Sequence, residues 1–165
     1  MTKRTMTFTG LAAFLTVFSA GYLWAEPNYT VEYPQGYRKW THVMSHVIGP
    51  KSPAYERNGG VHYFYANDKA LEGYRTGKFP DGSALVDERN KADEKDGVTR
   101  AGDTLVIGVM VKDARRYAET GGWGFEIFAG DNPKKGVLNV KGRTGCYNCH
   151  AKQKSHDFVY SELRK

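Results

Sequence analysis

Five consecutive residues near the C-terminus carry the clearest chemistry in the chain: Cys146, Tyr147, Asn148, Cys149 and His150. This is a C-x-x-C-H motif, the pattern of covalent c-type haem attachment. Two thiols three positions apart on one helical turn can both add to the vinyl groups along one porphyrin edge. The histidine that follows at once is then placed under the iron as its proximal ligand. Other readings of a C-x-x-C pair fit less well. A thioredoxin-like pair belongs near the start of a βαβ unit, and none precedes these cysteines. Half a zinc site needs a second Cys/His pair at suitable spacing, which is absent from the sequence. A structural disulfide leaves His150 unexplained. These are the only two cysteines of the chain, whereas an exported protein stapled by disulfides usually has more of them, further apart.

The sixth iron position is harder to assign. Outside the N-terminal segment there are two methionines, Met44 and Met110, both inside expected strands and read as core. His42, His46, His62 and His156 are the remaining histidines, each more typical of a surface or packing residue. An open distal position is the better expectation, and an open iron binds small molecules where a closed one mainly transfers electrons.

The chain has 165 residues, with 40% hydrophobic and 13% aromatic content, enough for one folded domain. Its N-terminus has a separate character. Lys3 and Arg4 precede an uncharged, mostly apolar run from Met6 to Trp24, and polarity begins at Glu26. Residues 1–25 are therefore expected to be a secretory signal peptide, with a retained membrane anchor as the alternative. Residues 26–165 form the haem domain, and a bacterial periplasm is the expected location. The net charge of +6 falls to +4 without residues 1–25. That balance suits an acidic redox partner protein, but its scattered lysines and arginines do not make a nucleic-acid footprint.

The pattern along residues 26–165 predicts an α+β domain: a mostly antiparallel sheet with short helices. Strands are expected at Thr41–Ile48, Val61–Ala66, Ser83–Val86, Thr104–Val111 and Gly124–Ala129. A brief helical turn is expected between Gln35 and Trp40. A helix capped by Asn67 or Asp68 should stop at Gly77. Asp113 should cap a second short helix through Tyr117, and a terminal helix is expected from Ser155 to Leu163. Residues 88–101, charged and glycine-punctuated, read as an exposed loop. No helical pattern is long enough for a four-helix bundle.

Several short motifs now line up with the haem motif. They are Tyr33-Pro34 through Tyr37-Arg38-Lys39-Trp40, Thr76-Gly77-Lys78-Phe79-Pro80-Asp81-Gly82, Val111-Lys112-Asp113, and Gly122-Trp123-Gly124-Phe125 with Phe128. In this order, ahead of a late C-x-x-C-H, the sequence resembles the cytochrome P-460 and cytochrome c′-beta family over nearly all of residues 26–165. The resemblance implies a mostly antiparallel β fold, usually a homodimer, holding a five-coordinate haem with an open distal face. One branch of that family oxidises hydroxylamine with a haem cross-linked to a lysine on the strand after the F-x-D-G turn. The other binds nitric oxide and carbon monoxide in an apolar distal pocket.

Counted from Phe79 and Gly82, the cross-linking position falls on Asp87, whose carboxylate cannot supply the amine. Lys91 lies nearby in the charged stretch and reads as a surface charge. Gly108 falls near the position where the hydroxylamine-oxidising branch carries a proton-handling acid. Asp87 is thus the distal candidate: with Glu88 it either lines the pocket and makes it polar or points to solvent. Phe64, Phe79, Phe125 and Phe128 are candidates to line the haem, with plain core packing as the alternative. The implied function is an exported mono-haem cytochrome that binds or converts small nitrogen species such as nitric oxide. Hydroxylamine oxidation and simple electron transfer are the alternatives.

Overall fold

A computed structural model describes residues 29–164; the expected signal segment lies outside them. Five strands run β1 Thr41–Ile48, β2 Gly60–Ala66, β3 Ala84–Lys95, β4 Val98–Lys112 and β5 Trp123–Ala129. They form one sheet in the order β1-β2-β3-β4-β5, antiparallel throughout. Three short helices accompany it: α1 Tyr55–Asn58, α2 Asp68–Thr76 and α3 Val140–His150. The protein is α+β, as its sequence pattern implies.

Strand alternation gives the sheet two apolar faces. Phe64 and Ala66 of β2, Leu85 of β3, Met110 of β4, and Trp123 and Phe125 of β5 belong to one cluster, completed by Ala70 of α2, Phe79, Phe158 and Val159. Cys146 and Tyr147 of α3 pack against this cluster. Tyr65, Val86, Ile107, Val109 and Phe128, one position out of phase, face the other way. The N-terminal segment covers them with Val31, Tyr37 and Trp40.

The expected helix near residue 70 is α2, with its two predicted end signals in place. The Asn67 side chain accepts a hydrogen bond from the Ala70 amide at 2.9 Å, and Gly77 closes the helix in the left-handed region at φ 76°. The predicted turn before Trp40 is a 3-10 turn at Tyr37–Lys39.

Three expectations need correction. Residues 88–101 are not a loop but the far half of the β3–β4 hairpin. Its turn is Asp96-Gly97, both at positive φ (52° and 74°), the backbone a two-residue hairpin turn requires. The hairpin tip is exposed on both sides, so its strands carry charge and lack the hydrophobic alternation that marks a half-buried pair. Second, the helix expected after Asp113 is a single turn, with the Tyr117 amide bonded to the Asp113 carbonyl at 3.0 Å, and then a 3-10 turn at Ala118–Thr120. Third, Ser155–Leu163 forms no helix. A 3-10 turn over Ala151–His156 ends in Asp157 and Phe158, both left-handed (φ 51° and 69°). Tertiary bonds to these two residues, described next, hold the chain out of the helical path.

Candidate haem site

The C-x-x-C-H motif occupies the last turn and a half of α3. Asn139 caps the start of this helix, accepting from the Gly142 amide at 2.9 Å. Gly142 and Gly145 are poor helix formers, so α3 depends on its contacts with the domain. Arg143 supplies one, an ion pair to the buried Glu126 of β5 at 2.9 Å.

Cys146 and Cys149 are free thiols one helical turn apart, the first half-buried and the second exposed. Burial pushes the Cys146 thiol up, helped by the nearby Cys149 and Glu126 charges. His150 Nδ1 lies 2.7 Å from the Phe158 carbonyl oxygen. A carbonyl can only accept, so Nδ1 carries the proton and Nε2 keeps its lone pair. This is the tautomer a ligating histidine needs, fixed by the same kind of backbone partner. Burial lowers the imidazole's pKa, against the Phe158 bond and the Asp87 charge, which raise it, and so favours the neutral form that can ligate. Phe125 and Tyr160 flank it, each with its ring centre 5.2 Å away. Tyr160 also donates from its hydroxyl to the Cys149 carbonyl at 2.9 Å. Two free thiols, a committed Nδ1 and an apolar wall together fit covalent attachment of a haem. Cys146 and Cys149 would hold the porphyrin and His150 Nε2 the iron.

The Phe158 carbonyl is itself held in place. Asp157 accepts from the Phe79 amide at 2.9 Å and from Lys112 Nζ at 2.7 Å, and its carbonyl accepts from Trp123 Nε1 at 2.8 Å. Lys112 and Asp157 are both buried. An uncompensated charge there would be costly, so the pair fixes the backbone that holds His150. Nothing local in the sequence signals this tie, because its partners come from four separate segments.

On the sheet face that α3 covers, the register places Met44, Phe64, Asp87, Gly108 and Ile127 in one row across the five strands. Phe64, Phe79 and Phe125 lie in the cluster against which Cys146 packs. Phe128 does not: it belongs to the opposite face, edge-on to Tyr33 at 5.1 Å. Met44 and Met110 are partly buried against the first cluster, in packing roles. Glu88 also faces away from Asp87, taken up by Tyr37 at 2.9 Å and by Nη2 and Nε of Arg38 at 2.8 and 3.0 Å. Lys91 is an exposed charge paired with Asp93 at 3.1 Å.

Asp87 points neither into bare solvent nor into a purely apolar pocket. Its two carboxylate oxygens lie 2.9 and 3.1 Å from Nδ1 of His62, whose Nε2 is 2.8 Å from the Asn58 carbonyl oxygen. Both ring nitrogens of His62 are thus engaged, which removes it as an axial iron ligand. His42 and His156 are exposed, hydrogen-bonded to Ser45 and Gln153, and His46 sits over His62 with ring centres 4.8 Å apart. Sequence reasoning singled out Asp87 and missed its partner, because the pairing exists only through the β2–β3 register. A separate surface cleft of about 410 Å³, lined by Val31, Phe128 and Lys134 among others, opens on the other face of the sheet, away from the thiols.

No curated protein matches this chain. A sequence model of the cytochrome P460 family matches residues 34–161, a span from the first aromatic turn through every strand to the segment after the haem motif. Most of the chain is covered, and the protein belongs to the cytochrome P460 family.

Proposed function

We propose that this cytochrome carries one haem c, bonded to Cys146 and Cys149 and ligated by His150, and uses its open distal face to bind or convert small nitrogen species such as nitric oxide. The observation behind this reading is His150, with Nδ1 held by the Phe158 carbonyl at 2.7 Å beside two free thiols. A bound haem supplies an iron that exchanges one electron and takes up a small ligand at an open position. The protein's part is to fix and shield. The Lys112–Asp157 tie and Trp123 hold the proximal carbonyl, and Phe64, Phe79 and Phe125 provide an apolar wall. Elsewhere on this sheet face, His62 is committed to Asp87 and Asn58, and Gly108 has no side chain to offer as a sixth ligand.

Asp87 at the cross-linking position favours ligand binding over hydroxylamine oxidation, since a carboxylate forms no amine link to the porphyrin. Export to a periplasm and assembly as a homodimer complete the proposal; the first rests on residues 1–25 and the second on the family resemblance. Optical spectra of the purified holoprotein test it, with a pyridine haemochrome assay and intact mass. The expected result is one haem added through two thioether bonds, a high-spin ferrous spectrum, and a clear change on nitric oxide addition. A low-spin spectrum that ignores nitric oxide would overturn the open-face reading, and a bare polypeptide mass would overturn all of it.

A further inference from the structure

We infer that His62 and Asp87 form a proton-holding pair at the open face, which selects small anions of weak acids, such as nitrite or fluoride, by taking up one proton with each. The inference rests on the open-face reading above and adds the ligand class.

The argument begins with the hydrogen-bond inventory. Asn58 presents a carbonyl oxygen to His62 Nε2 at 2.8 Å, so Nε2 must carry a hydrogen. Nδ1 faces both carboxylate oxygens of Asp87, so a second proton lies between ring and carboxyl. Whether it resides on nitrogen or on oxygen, the pair is neutral as a whole. Losing it would set a nitrogen lone pair against a carboxylate at a histidine only 3% exposed, an arrangement that burial makes expensive.

Other charges around the pair do not reverse this. His46 of β1, with its ring 4.8 Å from His62, is held neutral by burial and by the His62 charge. Arg89 of β3 opposes the charge on His62, and Asn58 just before β2 favours it. Burial alone would lower the His62 pKa, yet the Asp87 bond, the Asp87 charge and the Asn58 carbonyl outweigh it, and the net shift is upward.

Asp87 is also placed to meet a ligand. Its side chain keeps 37% of its surface exposed while that of His62 keeps 4%, so the pair has one wet end and one dry end. It lies on the face that carries Phe64 and Gly108, and its charge is felt at His150. Across the β3–β4 ladder, Gly108 leaves room: a methyl placed there would meet nothing closer than 3.7 Å, and that atom is Asp87 Cβ.

An anion arriving beside Asp87 meets a carboxylate whose charge His62 offsets only in part. A further proton on the exposed carboxyl oxygen removes the repulsion and gives the anion a hydrogen-bond donor, while His62 keeps its proton. Anion and proton therefore bind together. The new O–H bond forms at Asp87 with a proton from solvent, the pair becomes positive beside the negative ligand, and no electron moves. Neutral diatomic ligands gain nothing from this proton.

Ligand titrations of the holoprotein test the idea: fluoride and nitrite with the ferric form, carbon monoxide with the ferrous form, from pH 5 to 7.5. Coupling to one proton predicts that the fluoride Kd rises about tenfold per pH unit in the wild type. Asp87→Asn, whose amide donates without titrating, should flatten the dependence to less than about threefold over the range. Carbon monoxide affinity should stay pH-independent in both proteins. Asp87→Ser, which likewise removes the carboxyl that takes up the proton, gives an independent reading should Asp87→Asn fold poorly, and is also expected to flatten the slope. A fluoride affinity independent of pH in the wild type, or an unchanged slope in either variant, would overturn the pair's role while carbon monoxide binding left the open face standing. Absence of carbon monoxide binding would overturn both.

Discussion

The two regions beside the proposed haem site, around His150 and around Asp87, are built on opposite plans. On the flank of His150, polar groups are buried and paired: Asp157 alone receives bonds from the Phe79 amide, Lys112 and Trp123. On the flank of Asp87, the row across the sheet is left underfilled, with a glycine beside a half-exposed carboxylate. The contrast teaches a division of labour. A metal ligand gains from being over-determined, since its geometry must not drift. A face that admits ligands needs space and a mobile proton, and accepts lower packing density as the consequence.

Four substitutions or conditions would break or sharpen that contrast. The largest effect is expected from Lys112→Met, which leaves the buried Asp157 charge unpaired. Unfolding in urea should show a loss of about 3–5 kcal/mol, and the optical spectrum should show a disturbed proximal ligand. A loss below about 1 kcal/mol would mean that the tie is not what fixes this flank. Trp123→Phe keeps an aromatic ring but removes the donor to the Asp157 carbonyl, and about 1–3 kcal/mol is expected for the acceptor left bare, with a further loss for the space the smaller ring leaves at this fully buried position.

The distal flank should respond to pH more than to packing. His62 has a raised pKa in the folded protein, so its stabilising contribution is complete below its ordinary value and fades as pH rises through the raised one. Urea unfolding of the wild type and of Asp87→Asn, compared across that window, should show the wild type's advantage shrinking toward alkaline pH. The lowered pKa of His46, which owes most to burial, acts in the opposite sense in both proteins. An advantage constant with pH would count against a shared proton. Smallest is Gly108→Ala, where the added methyl finds ordinary contact distances. A gain of about 0.4–1 kcal/mol is expected from the stiffer unfolded chain, along with weaker fluoride binding from the narrowed space beside Asp87.

How far the sequence disclosed all this depended on the range of each interaction. The α2 helix was legible because Asn67 and Gly77 act on their immediate neighbours. The thiol–thiol–imidazole motif was legible because its three groups fall within five residues. The hairpin at residues 88–101 was misread because its tip buries neither face, and Asp96-Gly97 alone carried the turn signal. Ser155–Leu163 was misread because Asp157 and Phe158 answer to Lys112, Phe79, Trp123 and His150, none of them nearby in sequence except the last. Phe128 was grouped with Phe125 although an odd separation along β5 sends the two rings to opposite sides.

Each strand of the sheet pairs only with those next to it in the chain. Pairing between sequence neighbours keeps the closing loops far shorter than the chain, so the register can be set early and locally. The cysteine-bearing helix follows all five strands. The wall that would receive the porphyrin can thus assemble before the thiols are docked, and maturation would join the cofactor to a protein whose receiving surface is already in place.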